Sequence, residues 1–104
     1  MTSKRQDVFV KNKNTNLYLS ISYDKGIPSL INSIIPIPWI MITYYNINNR
    51  PLYNIIVDKY ESLYLSYDSL GKKWNINNFS YMIHVKNNII TNIQDNLLEI
   101  IVAS

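Results

Sequence analysis

One histidine, seven carboxylates and no cysteine are all that this chain offers to acid–base, nucleophilic or metal chemistry. His84 lies in YMIHVK, where Tyr81, Ile83 and Val85 share one face of a strand and Met82, His84 and Lys86 the other. A catalytic triad or a metal site needs further ligands brought to the imidazole. None stands near His84 in the sequence, so it is read as a surface residue. Asp24, Asp68 and Asp95 fall in turn-forming stretches, where a short carboxylate bonds nearby backbone donors. Asp58 and Glu61 bracket Lys59 in a further polar stretch, and Asp7 and Glu99 stand alone. Gly26 and Gly71 are the only glycines, which leaves no glycine-rich phosphate loop. The expectation is a protein without catalysis, cofactor or metal.

Tyrosine is the residue type with more to offer. Tyr18 and Tyr64 project from the polar faces of LYLSISY and SLYLSY, and Tyr44 and Tyr45 end the most apolar stretch of the chain. An amphipathic ring can stack on a sugar or a base, or bury itself against another subunit. Tyr18 and Tyr64 are therefore candidate stacking platforms, with Lys11, Lys13, Lys72 and Lys73 nearby in sequence. The competing expectation is a cross-strand tyrosine pair that stiffens a sheet.

The elements that must position these rings are strands. Turn signals rich in Asn, Asp and Gly recur about every 8 to 12 residues, the spacing of an all-β domain. Strands are expected near 6–11, 16–23, 38–47, 52–58, 62–67, 79–86, 88–93 and 97–103. Residues 28–36 are expected to form a short turn or loop, and residues 1–5 to be flexible. Several strands alternate: Leu17, Leu19, Ile21 and Tyr23 oppose Tyr18, Ser20 and Ser22. The expected fold is a single small antiparallel β-sandwich, with a closed barrel or a trefoil-like body as the alternative. Two segments echo each other 46 residues apart, VFVKNKNTNLYLSISYDKG (8–26) and IIVDKYESLYLSYDSLG (55–71), as a duplicated hairpin or two trefoil lobes would.

LINSIIPIPWIMITYY, Leu30 to Tyr45, raises the question of a membrane span. A spanning helix needs about 20 apolar residues. Pro36 and Pro38 interrupt this one, and a proline in a helix interior costs about 3 kcal/mol. The residues after Pro38 favour a strand. Trp39, Met41, Thr43 and Tyr45 would share one face and Ile40, Ile42 and Tyr44 the other. A strand apolar on both faces is either central and covered on both sides or completed by another chain. Trp39, Met41, Tyr44 and Tyr45 are accordingly the candidate interface residues.

Composition points the same way. Charged residues are 16% of the chain, against roughly 25% in an ordinary soluble domain, so copies repel one another weakly. A net charge of +3 with scattered lysines lacks the clustered basic stripe of a nucleic-acid binder. MTSKRQDVFVKN has no apolar run of secretory type, which makes the cytoplasm the expected site of synthesis. Asn, Ile, Tyr and Lys share AT-rich codons, so the asparagine count by itself is given almost no weight.

The opening VFVKNKNTNLYLSISYDKG resembles the first hairpin of aegerolysin-like β-sandwich proteins. ITYYNINNRPLYNIIVDKY is similar to their central hairpin, and SYMIHVKNNIITNIQDNLLEIIV to their closing strands. The chain departs from that family in its two glycines, its basic charge, and Tyr67-Asp68-Ser69-Leu70-Gly71 where the family carries an Asp-Asn-Pro-Tyr-type loop. The resemblance implies a two-sheet sandwich that binds membrane lipid or a protein partner without catalysis. The leading expectation is thus a contact protein, self-assembling as a homo-oligomer or meeting a membrane surface or a protein. A small carbohydrate- or single-stranded nucleic-acid-binding barrel is the alternative.

Overall fold

A computed structural model describes residues 2–103. The chain forms β1 (Thr2–Asn12), β2 (Tyr18–Asp24), β3 (Ile27–Ser33), β4 (Trp39–Tyr45), β5 (Pro51–Val57), β6 (Tyr64–Asp68), β7 (Lys73–Asn77), β8 (Val85–Lys86), β9 (Ile89–Ile90) and β10 (Leu98–Val102). All pairings are antiparallel, in one ten-stranded sheet ordered β7-β6-β5-β4-β1-β10-β9-β8, with β2 on β1 and β3 on β2. The all-β architecture is as expected from the alternation, and the sheet curls around a core without closing into a barrel.

The curl originates in β1. Its first half pairs β4 from Thr2↔Tyr45 to Val8↔Trp39, while its second half pairs β10 from Val8↔Val102 to Asn12↔Leu98. At Lys11 it also meets Tyr18 of β2, because Asn12 opens a turn there. The Asn12 side-chain oxygen accepts the backbone N–H groups of Asn14 and Thr15 at 2.9 and 3.2 Å, the local bonding that makes asparagine a turn former. β2 and β4 thus lie on the same side of β1, and the sheet forks between them. Trp39 fills the fork, and its indole N–H donates to the Leu19 carbonyl at 3.0 Å.

The echoing segments are structurally equivalent. Lys11↔Tyr18 in the first has its counterpart 46 positions on in Val57↔Tyr64, and Val8↔Trp39 has its counterpart in the bridge Asn54↔Ile83. Each lobe begins with a strand followed by a hairpin (β2–β3 or β6–β7); the return is strand β4 in the first and the single bridge residue Ile83 in the second. β9 and β10 supply a third strand pair with no hairpin of regular length between them.

The interior is formed by Val8, Val10, Leu19, Trp39, Met41, Ile56, Leu65, Ile83, Ile90, Leu98 and Ile100. β4 lies between β1 and β5, and Ile42 and Ile55 are buried on the face opposite Trp39, Met41 and Ile56. The two-sided apolar strand is therefore a central one.

Four expectations need correction. Residues 27–33 form strand β3, because IPSLINS pairs along its whole length with β2, from Tyr18↔Ser33 to Asp24↔Ile27. The Lys25-Gly26 turn joining them has both φ angles positive, 51° and 79°, which suits a two-residue hairpin loop. Residues 2–5, expected to be flexible, are hydrogen-bonded strand against β4; Met1 lies outside the described residues. Lys73–Asn77, assigned to no strand, is β7. Conversely, 79–82 is not strand, and only Ile83 and β8 of the expected 79–86 strand pair at all.

One buried polar cluster ties the sheet together. Asn54, at 5% exposure, donates from its amide to the Thr43 hydroxyl at 2.8 Å and accepts the Val85 N–H at 3.1 Å. Its backbone exchanges two hydrogen bonds with Ile83. A single asparagine thus joins β4, β5 and the segment leading into β8, with its polar atoms satisfied as a low-dielectric interior demands.

Candidate functional site

The titratable residues do not converge. His84 is exposed, and the described residues contain no group of three or more His, Cys, Asp or Glu side chains placed to hold a metal ion. Several carboxylates organise turns. The Asp58 Oδ1 accepts the N–H groups of Ser62 and Leu63 at 2.9 and 3.2 Å, and the Asp68 Oδ1 accepts that of Leu70 at 3.1 Å. Glu61 pairs with Arg5, and Asp95 accepts the Tyr67 hydroxyl at 2.9 Å.

That last bond carries a pH dependence. Burial first, and the bond to Asp95 second, hold the Tyr67 phenol above its ordinary value of 10.0. A raised value means that the fold favours the neutral phenol. The contribution is complete below pH 10 and is lost as pH rises through the raised value. Tyr67→Phe should therefore remove part of the fall in urea midpoint between pH 9 and pH 11; an identical fall in both proteins would contradict this.

The candidate interface residues separate into two groups. Trp39 (1% exposed) and Met41 belong to the chain's own core and are not available to a partner, which corrects the assignment made from apolarity alone. Tyr44 and Tyr45 are half-buried. Tyr44 faces Tyr53 across the β4–β5 ladder with ring centroids 4.9 Å apart in a stacked arrangement, the stiffening pair of the competing expectation. Of the stacking candidates, Tyr18 packs edge-on against Phe9 at 6.2 Å, and the Lys11 ammonium lies 5.5 Å from its ring centre. Tyr64 is half-buried beside Val57 and Asn77. The structure does not bring these four tyrosines into one site.

Another surface stands out. Among the described residues six isoleucines are exposed, and five of them lie at 27, 31, 34, 35 and 37. β3 places Ile27, Ser29 and Ile31 outward and Pro28 and Leu30 inward, and the loop that follows exposes Ile34 at 81% and Ile35 at 65%. Tyr23, paired with Pro28, is also exposed but lies on the opposite face of the hairpin, with Ile21. Among the described residues β3 hydrogen-bonds only to β2, and β7 runs close to it without strand pairing, Lys73–Ile76 facing Pro28–Leu30 across a shallow recess. No charged residue occurs from Gly26 to Asn49. Within LINSIIPIPWIMITYY the strand after Pro38 is largely covered, and the segment before it is the exposed part. The uncharged run was the available signal.

No family model matches this chain, and it has no match among the curated proteins or the solved structures. No helix among the described residues is long and apolar enough to cross a membrane.

Proposed function

We propose that this chain is a non-enzymatic all-β protein that works by contact, self-associating through the ridge formed by β3 and residues 34–37. The observation that carries this reading is the concentration of exposed isoleucines on β3 and the loop that follows. Contiguous exposed apolar surface marks interaction sites. A second copy is the favoured occupant. Residues 27–37 carry no charge of their own to select a charged partner, and an uncharged apolar surface complements itself.

Ile34→Lys and Ile35→Glu test this separately. Both side chains are largely exposed, so each variant should keep the wild-type unfolding midpoint to within about 0.5 kcal/mol. Each should abolish self-association. A folded variant with wild-type mass would remove the ridge from the interface. A monomer that instead sediments with liposomes would favour the membrane-surface reading, the one an aegerolysin-like relationship implies.

The carbohydrate or nucleic-acid alternative has less support. Tyr18 is engaged with Phe9 and Lys11, and Tyr64 is half-buried. Binding to an oligonucleotide that falls steeply with salt would restore it.

A further inference from the structure

We propose that the recess between the β2–β3 hairpin, residues 37–39 and the turn at 58–60 binds a small, uncharged, apolar molecule. The recess measures about 220 Å³. Ile21, Ile37 and Pro38 give it apolar walls above the almost fully covered Trp39, and Tyr23 and Tyr60, both exposed, contribute aromatic surface. Trp39 is held in place by its bond to the Leu19 carbonyl, so this part of the wall is preformed. An apolar cavity of about 150 Å³ stays dry and admits benzene. The present recess suits a molecule of about seven or eight non-hydrogen atoms, such as a substituted benzene.

The charge of the ligand follows from what the two ionic lining residues already do. Asp58 is buried and its carboxylate accepts the Ser62 and Leu63 N–H groups of its own turn. The Lys59 ammonium lies 5.0 Å from the centre of the Tyr60 ring, a cation–π arrangement. No buried side-chain polar atom among the described residues lacks a hydrogen-bond partner. The apolar walls themselves, Ile21, Ile37, Pro38 and the bonded Trp39, offer nothing to pair with a charge or to demand a hydrogen bond. The Lys59 ammonium and the exposed tyrosines keep access to water. A charged ligand would lose its hydration without compensation, and a neutral apolar one would gain burial.

The test is an NMR titration of the isotope-labelled wild-type protein with toluene, benzoate and benzylammonium in turn. Toluene should shift the Ile21 and Ile37 methyl resonances and the Trp39 indole N–H saturably. The two charged analogues should bind at least about tenfold more weakly. Ile37→Glu, which places a carboxylate where the recess meets the end of the ridge, should abolish toluene binding whether or not it also changes self-association. Ile34→Glu, outside the recess, should leave it unchanged even where it breaks self-association, so this proposal and the contact reading fail separately. Absence of saturable shifts with toluene, equal affinity for either ion, or unaltered binding by a folded Ile37→Glu protein would each overturn the proposal. If Ile37→Glu does not fold, the location of the wild-type shifts decides.

Discussion

Trp39→Ala is expected to cost about 3–5 kcal/mol, the range for emptying a large aromatic site in a core. Its ring sits where β2 and β4 diverge from β1, and among the described residues no other side chain there hydrogen-bonds to β2. A domain of this size has only about 5–15 kcal/mol of net stability. Thermal unfolding should therefore move down by on the order of 20 °C. Trp39→Phe separates the two contributions. It keeps most of the packing but leaves the Leu19 carbonyl without its donor, for a loss of about 1–3 kcal/mol. A loss under 1 kcal/mol for Trp39→Ala would mean that the fork is not closed by this residue.

The second large effect is expected at Asn54. Asn54→Ala deprives the Val85 N–H of its acceptor and the buried Thr43 hydroxyl of its donor. Orphaning buried polar groups costs about 1–3 kcal/mol each, so the variant should lose about 2–4 kcal/mol. Because both lobes meet at this point, the loss should be cooperative with Thr43. The Asn54→Ala/Thr43→Val double variant should be less destabilised than the sum of the singles by at least about 0.5 kcal/mol. Strict additivity in denaturant unfolding would show that the bond contributes nothing of its own.

Much of this fold was legible in the residue order. The alternation in LYLSISY and SLYLSY placed Leu19 and Leu65 inside, where both are buried, because a pleated strand has a period of two. The turn signals at Lys13–Asn16, Asp24–Gly26 and Asn87–Asn88 became tight turns, with Asn16, Lys25, Gly26, Asn87 and Asn88 at positive φ. The echo of LYLS was a repeat of structure, since its register partners recur at the same spacing.

What escaped the sequence had non-local causes. β3 is marked by no alternation strong enough to overcome Pro28, and its strand state comes from a neighbour, β2. Residues 2–5 are ordered by β4, about forty positions away. Core and interface are built from the same apolar residue types, so Trp39 and Ile35 could be told apart only by which one the fold covers. Asparagine was discounted as a product of base composition. Yet Asn12, Asn46 and Asn54 each satisfy two donors or bridge two strands through their side chains.

The claim that this chain acts by self-contact is tested most directly by its mass in solution. Light scattering behind a sizing column, over a range of concentrations at low and high salt, should show a dimer or larger species. Because the ridge is uncharged, that species should persist at high salt. A monomer of 12.2 kDa at every concentration and both salt levels would contradict the account.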